Sequence, residues 1–351
     1  MEVYLQDRNW DYNDIPNLRE TKNVVRWELR AQLDADEDGC GEGQYHYVVR
    51  LAPKKRLRVT YELLEWTPLG KETQVLFKRS ATKLELLDRK TKALRSYEAI
   101  GLPASVMSQP QGSWTRDLPE MLCFRKWVEG FRSYLIWDPK ILRNPDRGKQ
   151  VELGPSGEHL ATIIGKMKDK QPKSFNRLVG RIRRLFPTVT DVSVAGRGWG
   201  WRSLRLHEAN GRDAVFNSQQ MSDGILRLLA ITSLLYMDRI PSVITLEEPE
   251  NGVHPQLVRE VVQILRELTQ RKPPNKCQVF LTTHSPYVLD EFFDHPEEVY
   301  CMDRPRPQAG AVVTRLSDNK QLNIARDTFQ RSLGEAWTAG LIGASAGVRG
   351  S

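Results

Sequence analysis

The residues best suited to chemistry are two adjacent carboxylates at the end of an apolar run. Val243-Ile244-Thr245-Leu246 leads directly into Glu247-Glu248-Pro249-Glu250-Asn251-Gly252-Val253-His254-Pro255. Aliphatic and β-branched residues at that density predict a buried strand. Ligands of open α/β sheets sit beyond the carboxyl ends of the strands, which is where Glu247 and Glu248 emerge. Paired acids there suit a metal-phosphate site. The simpler alternative is a solvated Glu-rich loop after a core strand.

Two further segments bear on that choice. Gln219-Gln220-Met221-Ser222-Asp223-Gly224 precedes the almost wholly apolar run Ile225 to Leu235. Ser222 or Asp223 is suited to cap the helix this run predicts. A Ser-Asp-Gly turn at a helix N-terminus presents backbone N–H groups to an anion. Gln278-Val279-Phe280-Leu281-Thr282 predicts a second buried strand, followed by Thr283-His284-Ser285-Pro286. Between the two strands, Leu257, Val261, Ile264, Leu265 and Leu268 fall at amphipathic-helix spacing. Strand, helix and strand at this length predict a parallel βαβ unit, with Glu247, Glu248 and His284 on one sheet edge. For His284 alone, a histidine satisfied at a strand end is an equal alternative. His254 is read as shaping the turn.

The order of these three motifs resembles the C-terminal half of an ABC-type ATPase head. The group it is most similar to is the SMC/RecF-like predicted ATPases of the AAA-21 type, whose signature reads Leu-Ser-Asp-Gly; here Met221 stands in the leucine place. The resemblance is strong over residues 215–316 and weaker over 24–214. It implies ATP and Mg²⁺ as cofactors. By the same likeness, Glu247 matches the Walker B acid that helps hold Mg²⁺, and Glu248 the base that activates water. His284 matches the switch histidine that senses the γ-phosphate. Ser222, Asp223 and Gly224 fall in the signature, which meets a nucleotide bound by the opposite subunit; Asn251 and Gly252 fall in the D-loop. These groups are chemically coherent, because phosphoryl transfer is mostly positioning and charge neutralisation.

No Gly-x-x-x-x-Gly-Lys-Ser/Thr string occurs in the 351 residues. Gly154-Pro155-Ser156-Gly157-Glu158-His159 lacks the lysine and carries an acid beside the would-be phosphate, so it reads as a turn before a helix near Leu160. Relatives place a strand, P-loop and helix ahead of Val24. The expectation is a family member without its first ~60 residues. A mis-assigned start codon, a degenerate protein and a split gene all fit, and ATP binding by this chain alone is expected to be weak.

Composition bounds the rest. Hydrophobic residues are 40% and charged residues 27%, ordinary for a globular protein. No apolar run reaches the ~18 residues of a membrane span, and the polar N-terminus does not read as a signal peptide. Four cysteines without CxxC spacing argue against zinc and for a reduced, cytoplasmic protein. The net charge of +8 favours nucleic acid modestly. Arg177, Arg181 and Arg184 line one face of a predicted helix ending at Phe186, opposite Phe175, Leu178, Val179 and Ile182. That face reads either as solvated surface or as a phosphate-backbone contact.

The fold class expected is α/β, an ABC-type head with a mostly parallel sheet core, an antiparallel β-lobe and a helical insertion. The divisions are residues 1–115 for the β-rich lobe, 116–195 for the insertion and 196–351 for the lobe carrying the motifs. The insertion is read as helical over Pro119 to Ile136 and Leu160 to Phe186, with a linker around Pro139, Pro145 and Pro155. It has no sustained heptads, so no long coiled coil is expected. Asn210-Gly211 marks a hairpin turn, and Trp199-Gly200-Trp201 is read as core packing or an edge cover. Two final strands are expected near Glu298–Cys301 and Ala311–Thr314, followed by a segment too short for an appended nuclease. The resemblance implies a homodimer through head-to-head contacts, or a partner subunit. A non-catalytic scaffold and a nucleic-acid-binding module are the alternatives.

Overall fold

The computed structural model describes residues 25–35, 41–53, 57–98, 104–108, 118–135, 138–148, 150, 152–197, 199–209, 211–237, 239–272, 276–303, 312–329 and 332–343. The chain divides into two compact units, Met1–Gly130 and Phe131–Ser351.

The first unit is an antiparallel meander. Strands β1 (Val25–Leu33), β2 (Gly43–Pro53), β3 (Leu57–Thr67), β4 (Gln74–Arg79), β5 (Lys83–Asp88) and β6 (Ala93–Glu98) pair in sequence order in one six-stranded sheet. Cross-strand register aligns Leu64, Phe77 and Leu86 on the inner face, and Leu76, left over where the β3–β4 register shifts, is buried as well. Helix α1 (Pro119–Glu129) covers that face with Met121 and Phe124. Buried Glu62 is fully hydrogen-bonded, accepting from the Tyr47 hydroxyl at 2.7 Å, the Ser105 hydroxyl at 2.6 Å and the Val106 N–H at 2.8 Å. These bonds satisfy a charge that burial alone would make costly.

The second unit holds the parallel core. Strands β7 (Phe131–Tyr134), β11 (Val243–Glu247) and β12 (Gln278–Thr282) form one sheet in the order β12-β11-β7, all parallel. The helix expected to run from Pro119 to Ile136 therefore stops at Glu129, and Phe131–Tyr134 is a strand; Ile136 lies outside the described residues. Gly130 closes the helix, and pairing with Val243–Leu246 overrides the weak local helical signal. A short helix α2 (Pro139–Arg143) opens the region read as a linker.

Gly154–His159 forms a turn, with the Gly157 N–H donating to the Gly154 carbonyl at 2.9 Å. The predicted helix to Phe186 breaks in two at Gln171, because Pro172 starts a new helix: α3 (Leu160–Lys170) and α4 (Pro172–Leu185). Strands β8 (Val189–Arg197), β9 (Trp201–Ala209) and β10 (Asp213–Asn217) make a second, antiparallel sheet. Asn210 of the expected hairpin turn lies outside the described residues. Trp199 is 94% exposed and Trp201 is 40% exposed, so the Trp pair is not core packing.

Helix α5 (Asp223–Leu235) is buried along nearly its whole length, as its apolar run requires, and α6 (Pro255–Thr269) connects β11 to β12 as the predicted βαβ crossover. Helix α7 (Pro286–Asp290) follows β12. Strands β13 (Tyr300–Asp303) and β14 (Val312–Arg315) pair antiparallel, as expected for the two final strands, and α8 (Leu322–Thr328) and α9 (Leu333–Thr338) close the described chain. The α/β expectation holds: the chain contains antiparallel sheets, a parallel sheet and helices. No described helix is long and apolar enough to cross a membrane.

Candidate functional site

Strand β11 lies at the centre of the parallel sheet, with Ile244 and Leu246 fully buried. The chain leaves it at Glu247 and turns at once. Glu248 has φ +44°, the left-handed region that costs a side-chain-bearing residue about 1 kcal/mol or more. Its N–H donates to the Thr282 carbonyl at 2.9 Å, extending the β11–β12 pairing by one bond. Two further turn bonds hold the loop, Asn251 N–H to Glu248 O at 3.0 Å and Val253 N–H to Glu250 O at 2.9 Å. His254 then caps α6, its Nδ1 accepting from the Gln256 N–H at 3.3 Å, consistent with its reading as a turn former. Strain of this kind concentrates where a side chain must be aimed.

Register pairs Glu247 with Thr282, so the residues just past β12 reach the acids. His284 Nε2 lies 3.9 Å from Glu248 Oε1, and the imidazole is 83% exposed. Its loop is tied to the acid-bearing turn by Thr283. The Thr283 hydroxyl donates to Glu250 and accepts from the Ser285 N–H at 2.9 Å. Glu250 is buried, and its second carboxylate oxygen has no hydrogen-bond partner. Glu250 and Thr283 are site residues that the motif reading passed over. The available signal was Thr or Ser two residues before a further Ser-Pro, a side-chain turn pattern.

The signature segment starts α5. The Ser222 hydroxyl accepts from the Ile225 N–H at 3.3 Å and is the helix N-cap. Asp223 pairs with Arg143, which also donates to the Met221 carbonyl at 3.0 Å. A Cβ built on Gly224 would meet the Gly252 carbonyl at 3.5 Å, an ordinary contact. The start of α5 and the turn after the acid pair therefore abut.

Arg227, one turn further along α5, sits beneath Gly252. A Cβ on Gly252 would fall 2.4 Å from Arg227 Nη1 and 3.0 Å from Cζ, and Gly252 has φ +73°. Arg227 is 9% exposed, and its Nε meets no acceptor. Burial lowers the guanidinium's pKa from its ordinary value, while the charges of Asp223 and Asp138 oppose that shift. With Glu247, Glu248 and Asn251, over Leu135 and Leu246, Arg227 lines a cleft of about 10 Å³, on the order of one water. The structure thus brings Glu247, Glu248 and Asn251 to one cleft, with Gly252 next in the chain and His284 3.9 Å from Glu248. Ser222 and Asp223 stand at the exposed start of α5 and do not line the cleft.

The donor chemistry fits Mg²⁺. That ion takes oxygen ligands, uses one or two carboxylates and keeps several waters. Glu247 and Glu248, both carboxylates, are among the residues that line one small cleft at a strand end. Of the predicted basic face, Arg181 is not available to a ligand. It is 6% exposed and donates to Glu260 and, at 2.7 Å, to Glu267 of α6. Lys173, Arg177, Arg183 and Arg184 remain exposed on α4.

Residues 48–290 match the family described as "AAA domain, putative AbiEii toxin, Type IV TA system". The chain belongs to this AAA-domain family. The matched span includes Ser222–Gly224, the acid pair and His284. The chain is also 33% identical over 174 residues to "Energy-coupling factor transporter ATP-binding protein EcfA2" of Staphylococcus aureus strains USA300 and NCTC 8325 / PS 47. That match covers 44% of this chain, and the chain spans about 56% of the length of those curated relatives. Among solved structures it resembles "Structural biochemistry of ATP-driven dimerization and DNA stimulated activation of SMC ATPases" at 13% identity and TM-score 0.33, over 47% of this chain and 95% of that one. It also resembles "Crystal structure of the SmcHead bound to the C-winged helix domain of ScpA" at 9% identity and TM-score 0.37, over 81% and 78%.

Proposed function

We propose that this chain carries the metal, base and sensor groups of an ATP hydrolase and works as one of a pair of heads. The supporting observation is the constellation at the carboxyl end of β11. Two consecutive acids line one cleft, and an exposed imidazole from the loop after the neighbouring strand stands 3.9 Å from the second. Glu247, nearer the strand, serves Mg²⁺. Bound there, the ion would neutralise phosphate charge. Glu248, past the strand end, takes a proton from the attacking water. His284 is exposed and free to reach a γ-phosphate. Ser222, Asp223 and Gly224, with Asn251 and Gly252, face the nucleotide of the opposing head. An exposed N-cap beside a glycine is a surface on which a phosphate is readily met. The test is phosphate release from Mg-ATP by the unaltered chain and by Glu248→Gln, which keeps shape and hydrogen bonding but removes the base. Light scattering with and without Mg-ATP tests pairing, and Ser222→Arg should abolish any nucleotide-dependent dimer.

A second reading, contact with nucleic acid, is favoured by α4. Lys173, Arg177, Arg183 and Arg184 are exposed there, and the helix contains no acid. Binding of a duplex should weaken steeply with salt, and Arg177→Glu with Arg184→Glu should remove it. Binding unchanged by those substitutions defeats the reading.

A further inference from the structure

Trp199 and Trp201 have no role in the chemistry above, and their placement is costly. Trp199 is 94% exposed with φ +53°, so its ring gains nothing from burial while its Cβ crowds a left-handed backbone. Trp201 is 40% exposed, and the Arg147 guanidinium lies over its ring, 5.3 Å from the centroid. Both stand where β8 turns into β9. That turn is braced. The Arg202 N–H donates to the Asp146 carbonyl at 2.7 Å, and the Asp146 N–H donates to the Arg202 carbonyl at 3.0 Å. The Arg202 side chain packs on Gly165 of α3, leaving no room there for a Cβ, and donates to Asp169 at 3.1 Å. Cations gather on this flank. Burial, and then the charges of Lys170 and Arg202, lower the Lys166 ammonium from its ordinary value. Lys170 and Arg147 are exposed. Asp169 is engaged by Arg202, and Asp146 by the Ala161 and Thr162 N–H groups at 3.1 and 2.9 Å.

We propose that the β8–β9 turn is a platform for single-stranded nucleic acid, on which Trp199 and Trp201 stack with bases and Arg147 and Lys170 meet phosphates. Exposed rings beside cations match the two components of such a ligand, π faces and a charged backbone. A duplex offers only the second, because its π faces are stacked inside. From Gly196 to Arg202 the sequence holds no aliphatic residue, whereas a membrane-surface anchor sets Leu or Phe beside its Trp. The bracing serves the same end, since rings carried on a fixed turn lose little freedom when a base stacks on them. The platform uses residues other than the exposed cations of α4, and it does not rest on the reading of the acid pair.

The test is fluorescence anisotropy of a labelled oligothymidylate of about 12 nucleotides, titrated with the full chain at low salt. An abasic strand of the same length and charge is run beside it and should bind several-fold more weakly. Trp199→Ala should weaken oligothymidylate binding about five- to a hundredfold and leave the abasic strand unaffected. Trp199→Phe keeps a π face and should retain most of the affinity. Lys170→Glu should weaken both strands and flatten their salt dependence. Arg177→Glu with Arg184→Glu should leave the preference for bases intact. The Trp199 ring is exposed, so its removal leaves the core untouched and a folding defect cannot mimic the result. Equal affinity for the abasic strand, or oligothymidylate binding that Trp199→Ala leaves unchanged, overturns the inference. So does a preference for bases that is lost in the α4 variant. No binding by the unaltered chain also overturns it, and Trp199-dependent sedimentation with phosphatidylcholine–phosphatidylserine vesicles would then assign the turn to a membrane surface.

Discussion

Two glycines that nearly touch should respond to alanine in opposite ways. At Gly252, φ is +73°, and a Cβ would lie 2.4 Å from Arg227 Nη1 and 3.0 Å from Cζ. The left-handed backbone costs an alanine roughly 1–2 kcal/mol. Displacing a planar group buried to 9% exposure adds about 1–3 kcal/mol, as overpacking does elsewhere. Gly252→Ala should therefore lose about 2–5 kcal/mol. Gly224 has no positive φ, and its added Cβ would make one ordinary contact at 3.5 Å, to the Gly252 carbonyl. It lies in the first turn of α5, where alanine is the better helix former by up to about 1 kcal/mol. Gly224→Ala should be neutral or slightly stabilising. Urea unfolding followed by circular dichroism measures both, and the Gly252→Ala midpoint should drop by on the order of 1 M or more. Equal midpoints, or a larger loss for Gly224→Ala, would refute the packing of Arg227 under the D-loop. Because Gly224→Ala should fold normally, any loss of nucleotide-dependent behaviour in it belongs to the outward surface of the signature.

Three further outcomes are expected. Arg181→Met should cost about 2–3 kcal/mol, because Glu260 at 19% exposure loses its cation, and the added change Glu260→Gln should recover part of that loss in a double-mutant cycle. Thr283→Val should destabilise by about 1–3 kcal/mol, since it strands the Ser285 N–H and one Glu250 oxygen. Glu250→Gln should cost less, because it removes a buried charge and keeps the Thr283 acceptor; the order of the two urea midpoints checks this. Burial pushes the Cys277 thiol up to about 12, so iodoacetamide at pH 9 should label Cys123 and Cys301 well before Cys277 in peptide mapping. The sign for stability follows: the unfolded thiol ionises from about pH 8.5, so its contribution is full below that value and falls as pH rises toward the folded one.

What the sequence made legible is what repeats at short range. The apolar run Val243–Leu246, the spacing Leu257 to Leu268 and the run Gln278–Thr282 each carry their own period, and together they dictate the βαβ unit. Ser222 as N-cap follows from local geometry in the same way. What was hidden depends on partners far along the chain. Phe131–Tyr134 is a strand because Val243–Leu246 pairs with it. Arg181 looked like part of a solvated stripe, but Glu260 and Glu267 draw it inside, and nothing in residues 172–185 announces that. Arg227 offered a weak signal, a single charge within an apolar helix, and that signal points to burial without naming the D-loop above it. Trp199 is exposed at a turn with φ +53°, a conformation set by backbone and not by hydrophobicity.

The central claim is that Glu248 is the base of an ATP hydrolase, and one measurement tests it directly. Phosphate release is followed at millimolar Mg-ATP, because the sequence predicts weak binding, for the unaltered chain and for Glu248→Gln. The account predicts measurable release by the unaltered chain and a loss on the order of 10²-fold or more in Glu248→Gln, the usual worth of a positioned general base. Near-normal turnover in Glu248→Gln, or no release by the unaltered chain, would contradict it.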